Sequence, residues 1–199
     1  MDDILNFSKL VEGKVVFERL EFDLSEVLEV TIESFAEQAY SKSLELILTV
    51  ADGVPASVLG DPNRLRQVLN NLIGNALKFT DAGEVALSVA VQDQSREEVT
   101  IRFEIQDTGI GIPQGSHSAL FKPFAQGDAS TTRKFGGTGL GLTISAQLVE
   151  GMKGKIDLKS AAGAGSKFSF TAIFGKSDVA PATIVNTLPF TDRTRADRR

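Results

Sequence analysis

The stretch Gly136-Gly137-Thr138-Gly139-Leu140-Gly141-Leu142 constrains this chain more than any other. Four of its first six residues are glycine, which removes the Cβ atoms that keep a backbone away from a ligand. Leu140, Ile144, Leu148 and Met152 then recur at helical spacing, so the glycines open a helix over Leu140–Met152. Unpaired N–H groups and the positive end of a helix dipole make such a junction a place for an anion such as phosphate. A plain surface loop capped by an ordinary helix satisfies the same residues, so the rest of the chain has to decide.

Upstream, Asp61-Pro62 starts a second helix, because aspartate is a good N-cap and proline suits the first helical position. Leu65, Val68, Leu69, Leu72, Ile73 and Ala76 share one face of it, to about Phe79. Asn71, Asn75 and Lys78, spaced by four and then three, fall together on a neighbouring face. Two amides and a lysine in line suit either solvent or a polar ligand. Before this helix, Val15–Phe22 reads as a short extended segment and Ser25–Ser41 as one helix; Leu44–Val50 and Val58-Leu59 read as strands.

After it, Glu84–Val91 and Val99–Gln106 predict an antiparallel hairpin joined through the polar Gln92–Glu98. The second strand runs into Asp107-Thr108-Gly109-Ile110-Gly111, a carboxylate followed by alternating glycines. That combination offers an acceptor beside a backbone able to approach closely. Leu120-Phe121-Lys122-Pro123-Phe124 is an aromatic cluster, and Gln126–Phe135, with Arg133 and Lys134, is expected to be a flexible lid. Gly154–Ser160 and Lys167–Phe174 predict two more strands around Gly163-Ala164-Gly165. In the last of them Phe168, Phe170 and Ala172 alternate with Ser169 and Thr171, as a half-buried strand requires.

Bulk properties narrow the classes. The 199 residues suffice for one substantial core. A formal net charge of −5 argues against a general nucleic-acid binder. With no cysteine there are no disulfides or thiolate metal sites. No apolar run reaches membrane-spanning length and Met1-Asp2-Asp3 lacks the basic start of a signal peptide, so the chain is expected to be cytoplasmic and free of direct membrane contact. Ile4, Phe7, Leu10 and Val11 lie on one face of a helix too short to stand alone, so residues 1–13 are expected to end a longer helix. Residues 176–199 read as a linker or tail.

In order along the chain, five stretches resemble the boxes of the ATP-binding domain of sensor histidine kinases, within the GHKL or Bergerat-fold superfamily. Asn71–Thr80 is similar to the N box, Asp107–Gly111 to the first glycine box and Phe121–Phe124 to the F box. Gly137–Leu142 is similar to the second glycine box and Gly163–Ser166 to the smaller one after it. The resemblance covers about residues 1–175 and points to a hybrid kinase. It implies a two-layer α/β (α+β) sandwich, a mixed and mostly antiparallel sheet with three helices on one face. The catalytic domain would span 14–175, with 1–13 the end of a dimerising, phosphoacceptor hairpin.

The resemblance also implies roles. Asp107 would accept the adenine amino group, and Asn75 would hold Mg²⁺ through its amide oxygen with Asn71 assisting one turn earlier. Lys78 and Arg133 would meet phosphate oxygens, and Phe79 would line the adenine or ribose pocket. Gly109, Ile110, Gly111, Phe124, Gly137, Thr138, Gly139, Leu140, Gly141, Leu142 and Ser166 complete the implied set for ATP. A phosphoacceptor histidine domain, upstream or in trans, and a response regulator or receiver domain are the implied partners, in a homodimeric parent that could be membrane-anchored. Related hydrolases carry a glutamate where this chain has Asn71, and an amide cannot act as a general base, so transfer to a protein fits better than rapid hydrolysis. The single histidine, His117, sits in Gly115-Ser116-His117-Ser118 and is expected to be a loop residue, with the acceptor absent from this chain. A GHKL ATPase and a nucleotide-binding regulatory module without kinase activity are the alternatives.

Overall fold

The structure is a computed structural model that describes residues 16–121 and 139–177. The chain begins with strand β1 (Leu20–Asp23), helix α1 (Leu24–Ser34) and the short α2 (Ala36–Ser41). Strands β2 (Glu45–Val50) and β3 (Ser57–Gly60) lead into α3 (Pro62–Phe79). The long hairpin β4 (Glu84–Gln94) and β5 (Glu98–Asp107) follows, then a 3-10 turn (Gln114–Ser116) and the one-turn α4 (His117–Leu120). Helix α5 (Gly141–Gly151) and strands β6 (Ile156–Ser160) and β7 (Ser166–Lys176) end the described residues.

The strands form one sheet in the order β1-β3-β7-β5-β4-β2, with β6 beside the first half of β7. Only β2 and β4 run parallel; the other pairings are antiparallel. The expected mixed, mostly antiparallel sheet is what forms. Alternation along β4, β5 and β7 sends Val85, Leu87, Val89, Val99, Ile101, Phe103, Ile105, Phe168, Phe170, Ala172 and Phe174 into the buried core. Phe103 and Phe170 are register partners and stack at 4.7 Å. Ser169 departs from the expected alternation: it is buried because β7 is flanked by β5 on one side and β6 on the other.

Helix α3 starts as its sequence dictates. The Asp61 carboxylate accepts from the N–H groups of Asn63 and Arg64, both at 3.0 Å, and Pro62 occupies the first turn. Its second oxygen accepts from Glu18 N at 3.0 Å, fastening the extended segment ahead of β1 to the start of this helix. Leu65, Val68, Leu69, Leu72, Ile73 and Ala76 are all buried, as the spacing predicted. The continuous helix expected over Ser25–Ser41 is instead two helices broken at Phe35 (φ −103°, ψ −4°). Thr31 and Ser34 donate their hydroxyls to Val27 O and Thr31 O, which competes with the helical ladder just before the break. The break lets the Phe35 ring pack over Gly74 of α3.

Candidate functional site

Asp107 is the last residue of β5, registered between Val85 of β4 and Ser166 of β7. The alternation that buries Ile105 buries Asp107 also, leaving it 7% exposed. Its Oδ1 accepts from Gly109 N at 2.9 Å and from Ser166 N at 3.2 Å. Burial pushes the Asp107 carboxyl above its usual range, opposed by the hydrogen bonds from Gly109 and Ser166. A buried acceptor fixed by main-chain donors selects for a ligand that brings a donor of its own.

The residues after Asp107 are clamped between the end of α3 and the turn that joins β6 to β7. Ile110 N donates to Phe79 O at 3.2 Å, and a Cβ on Gly109 would overlap that same carbonyl. Gly111 adopts φ +65° with its Cα against the Ala161 carbonyl, where any side chain would collide. Gly163 N donates to Ile110 O at 2.7 Å, and Ser160 Oγ accepts from Ile112 N while donating to Gly165 O, both at 2.8 Å.

At the other end of the polar face of α3, Asn71 Nδ2 donates to Ser145 Oγ at 2.8 Å. Asn75 Nδ2 lies 3.5 Å from Asn71 Oδ1, so the two amides form a line. A Cβ on Gly141, the first residue of α5, would overlap Asn71 Oδ1. The start of α5 therefore sits on the Asn71 amide because it is glycine. From Asn71 to Phe79 is about 12 Å along the helix at 1.5 Å per residue. Each glycine box thus meets one end of the same polar face, with Asn75 and Lys78 between. The Lys78 ammonium stands 5.1 Å from the centroid of the Phe79 ring.

Comparison with known proteins identifies the family. The family described as histidine kinase-, DNA gyrase B- and HSP90-like ATPases matches residues 60–175. The chain belongs to this ATPase family. It is 44% identical to the signal transduction histidine-protein kinase BarA of Escherichia coli K12, over 170 residues that are 85% of this chain and 18% of that protein. It is 38% identical over 190 residues to the hybrid signal transduction histidine kinase L of Dictyostelium discoideum, covering 95% of this chain and 11% of that one. The chain therefore spans less than a fifth of either relative. Among solved structures it resembles full-length ShkA in complex with AMPPNP, with a TM-score of 0.78 and 32% identity over 88% of this chain and 35% of that chain.

Within the ATPase fold, Asn71, Asn75, Lys78, Phe79, Asp107, Gly109, Gly111, Gly141 and Ser166 lie along α3, at the start of α5 and at or just beyond the ends of β5 and β7. Ser166 contributes through its main-chain N–H and its hydroxyl beside Asp107. Leu140 is fully buried in the hydrophobic core, and Leu142 packs against the same core. Ile110 is 49% exposed. Gly139 takes φ +69° ahead of the helix. Phe124, Arg133, Gly137, Thr138 and the lid expected over Gln126–Phe135 lie outside the described residues.

His117 heads the short helix α4 where a loop was expected, and its Nε2 is 3.1 Å from Ile112 O. The 3-10 turn ahead of it supplies a preformed first turn, which is why this polar stretch becomes helical. Ser145 and Ser160, which fix Asn71 and the first glycine box, carry no motif. Their only trace in the sequence is a small polar residue one turn inside α5 and one at the end of β6. Among the described residues no three His, Asp or Glu side chains stand together as a metal site.

Proposed function

We propose that this chain is the ATP-binding catalytic domain of a two-component sensor histidine kinase, passing the γ-phosphoryl group of ATP to a histidine on another segment or subunit. The observation that carries this reading is the buried Asp107 carboxylate, tied by Gly109 and Ser166 at one end of a helix face that holds Asn71, Asn75 and Lys78. The 44% identity to a protein named as a histidine kinase supports it.

In this reading Asp107 accepts the adenine amino group, and guanine, which presents an oxygen there, is rejected because two acceptors would face each other in a buried site. Phe79 lies beside the base or ribose. Lys78 meets phosphate oxygens as a point charge, and the glycine boxes let main-chain N–H groups reach the phosphates. Arg133 pairs with the γ-phosphate. Asn75 fits a magnesium ion as one oxygen ligand, with Asn71 beside it. Such an ion takes most of its shell from water and phosphate, so an acidic cluster is not needed. Bound there, Mg²⁺ would neutralise charge on the β- and γ-phosphates.

Transfer forms a P–N bond on the acceptor imidazole as the bond from phosphorus to the β,γ-bridging oxygen breaks, ADP keeping the electron pair. The domain's own part is to orient ATP and exclude water. The Asn71 amide cannot take a proton from water, which favours transfer over hydrolysis. The same reading assigns residues 14–175 to the catalytic domain, 1–13 to the end of a dimerising hairpin, and 176–199 to a linker towards a receiver domain. It also assigns a cytoplasmic site of action within a homodimeric parent. No described helix is long and apolar enough to cross a membrane.

The test supplies labelled ATP, Mg²⁺ and a separate phosphoacceptor hairpin. Acid-labile label on the hairpin histidine is expected, with none on His117. Release of inorganic phosphate without label on the hairpin would move the chain to the ATPase class.

A further inference from the structure

A helix end leaves its last carbonyls without intrahelical donors. At the end of α3 they have other partners. Ala76 O accepts from the Thr80 hydroxyl at 2.7 Å, and Phe79 O accepts from Ile110 N at 3.2 Å. Leu77 O, Lys78 O and Thr80 O all accept from one group, the ammonium of Lys42, at 2.7, 3.3 and 3.0 Å. An ammonium has three donors, so three carbonyls use its full capacity. Lys42 has no carboxylate partner among the described residues.

Lys42 comes from a different element, 35 to 38 residues away from those carbonyls in sequence. It caps α2, and the turn that carries it is fixed. Ser43 stands at φ +55°, with Ser43 N donating to Tyr40 O and Leu44 N to Ala39 O. That pair of bonds is the left-handed helix stop usually given to glycine. Positive charge at a helix C-terminus also opposes the negative end of its dipole. The turn of α3 held in this way carries Lys78 and Phe79 and lies one turn beyond Asn75. Its Phe79 carbonyl is also the seat of Gly109 and Ile110, two and three residues past Asp107.

We infer that Lys42 is a positioning residue for the nucleotide site: bonded to the last carbonyls of α3, it sets Lys78, Phe79 and the adjoining glycine box without touching the nucleotide. This inference rests on the ATP-binding reading above. Replacing the ammonium leaves three carbonyls at the helix end without their donor. The last turn then samples other conformations, and the phosphate-facing lysine is no longer held for its ligand.

The experiment measures Mg-ATP affinity by calorimetry for the 199-residue chain and its Lys42→Met, Lys42→Gln and Lys42→Arg variants, at a temperature where circular dichroism shows each folded. Lys42→Met is expected to raise Kd about tenfold, and Lys42→Arg, which keeps charge and donors, to stay within about threefold of the parent chain. In a Lys78→Met background the effect of Lys42→Met should shrink to about threefold or less, because the residue it holds is gone. Amide exchange across residues 76–82 should rise in Lys42→Met. If that variant does not fold, Lys42→Gln, which keeps donors without the charge, takes its place with a smaller effect of the same kind.

A merely structural lysine predicts a lower Tm with Kd unchanged in the folded variant, or effects that add fully in the double variant. Either result overturns the inference while the parent chain still binds ATP. Failure of the parent chain itself to bind ATP removes the functional reading, and the inference with it.

Discussion

The two ends of the polar face of α3 are built in different ways. At the Asp107 end the parts are main chain: Gly109 against Phe79 O, Gly111 against Ala161 O, Gly165 against Asp107 O, and a carboxylate bound by two N–H groups. At the Asn71 end the parts are side chains, with Asn71, Asn75 and Ser145 in a line of amides and a hydroxyl. Main-chain contacts have no slack, because an added Cβ meets a carbonyl that belongs to a strand or helix. Side-chain contacts can be exchanged while the backbone stays where it is. The glycine positions at the Asp107 end should therefore respond to mutation through stability, and the side chains that face the ligand through binding.

The sharpest way to break that contrast is Gly165→Ala. Gly165 holds φ +73° and its Cβ would overlap Asp107 O, so strain and collision act together. A loss of more than about 3 kcal/mol in urea denaturation is expected. Gly163→Ala is the internal control: φ is similar at +76°, yet nothing lies within 4 Å of the added atom. It should lose only about 1 kcal/mol. Equal losses at the two positions would show that backbone angle alone, and not close approach, governs this turn.

Next in size is Asp107→Asn, where stability and binding should move in opposite directions. Burial raises the folded-state pKa of Asp107, so between its unfolded and folded values the folded chain holds a proton that the unfolded chain has lost. Stability then falls as pH rises through that window, and the cost is complete above the folded pKa. Asparagine keeps an acceptor for Gly109 and Ser166 without the buried charge. The variant should be at least as stable as the parent at neutral pH, with the difference closing as pH falls below the window. Adenine-nucleotide affinity should drop by about 1–3 kcal/mol, since an amide donor would face the adenine amino group. Thermal denaturation across pH and calorimetry with ATP read the two effects separately.

Much of this contrast is visible in the sequence. Asp61-Pro62, the apolar stripe of α3 and the three glycine boxes are local signals, and each led to the right element. What the sequence conceals are contacts that depend on distant packing. Lys42 looks like a surface lysine in a turn, and only the fold brings it to the end of α3. Phe35 fits the apolar stripe of one long helix, so the stripe gave no sign that its ring would turn into a gap over Gly74. Leu140 shows the converse: its burial was legible in its helical spacing with Ile144 and Leu148.

At the Asn71 end, Asn75→Ala should leave the fold nearly untouched, because among the described residues its amide makes one long hydrogen bond of 3.5 Å. Less than about 0.5 kcal/mol of stability is expected to go. Mg-ATP affinity should fall by about 1 kcal/mol, roughly fivefold, while affinity measured in chelator stays the same. A stability loss as large as that of Gly165→Ala would erase the distinction between the two ends.

The smallest expected effect, Glu104→Gln, extends the comparison to the face of β5 turned away from the helices. Glu104 stands three residues before Asp107 and bonds Arg102 at 2.8 Å and Lys167 at 3.0 Å, its side chain 26% exposed. The hydrogen bond from Lys167 comes first in holding its carboxyl below the usual range; burial opposes, and Arg102 reinforces. The sign is therefore the reverse of that at Asp107. The ion cluster stabilises the fold fully above the unfolded-state pKa and loses its contribution as pH falls through the depressed folded value. Glu104→Gln should cost less than about 1 kcal/mol at pH 7, less still in high salt, because the groups are partly in water. In acid the gap between parent and variant should close, as it does for Asp107→Asn, but from the opposite side. ATP affinity should not change, since the helices that carry the nucleotide-facing residues lie across the sheet. Urea denaturation at neutral and acid pH, paired with calorimetry, reads all three. A variant that weakens ATP binding would mean that the two faces of β5 are coupled through the strand, and the division between a structural face and a binding face would have to be given up.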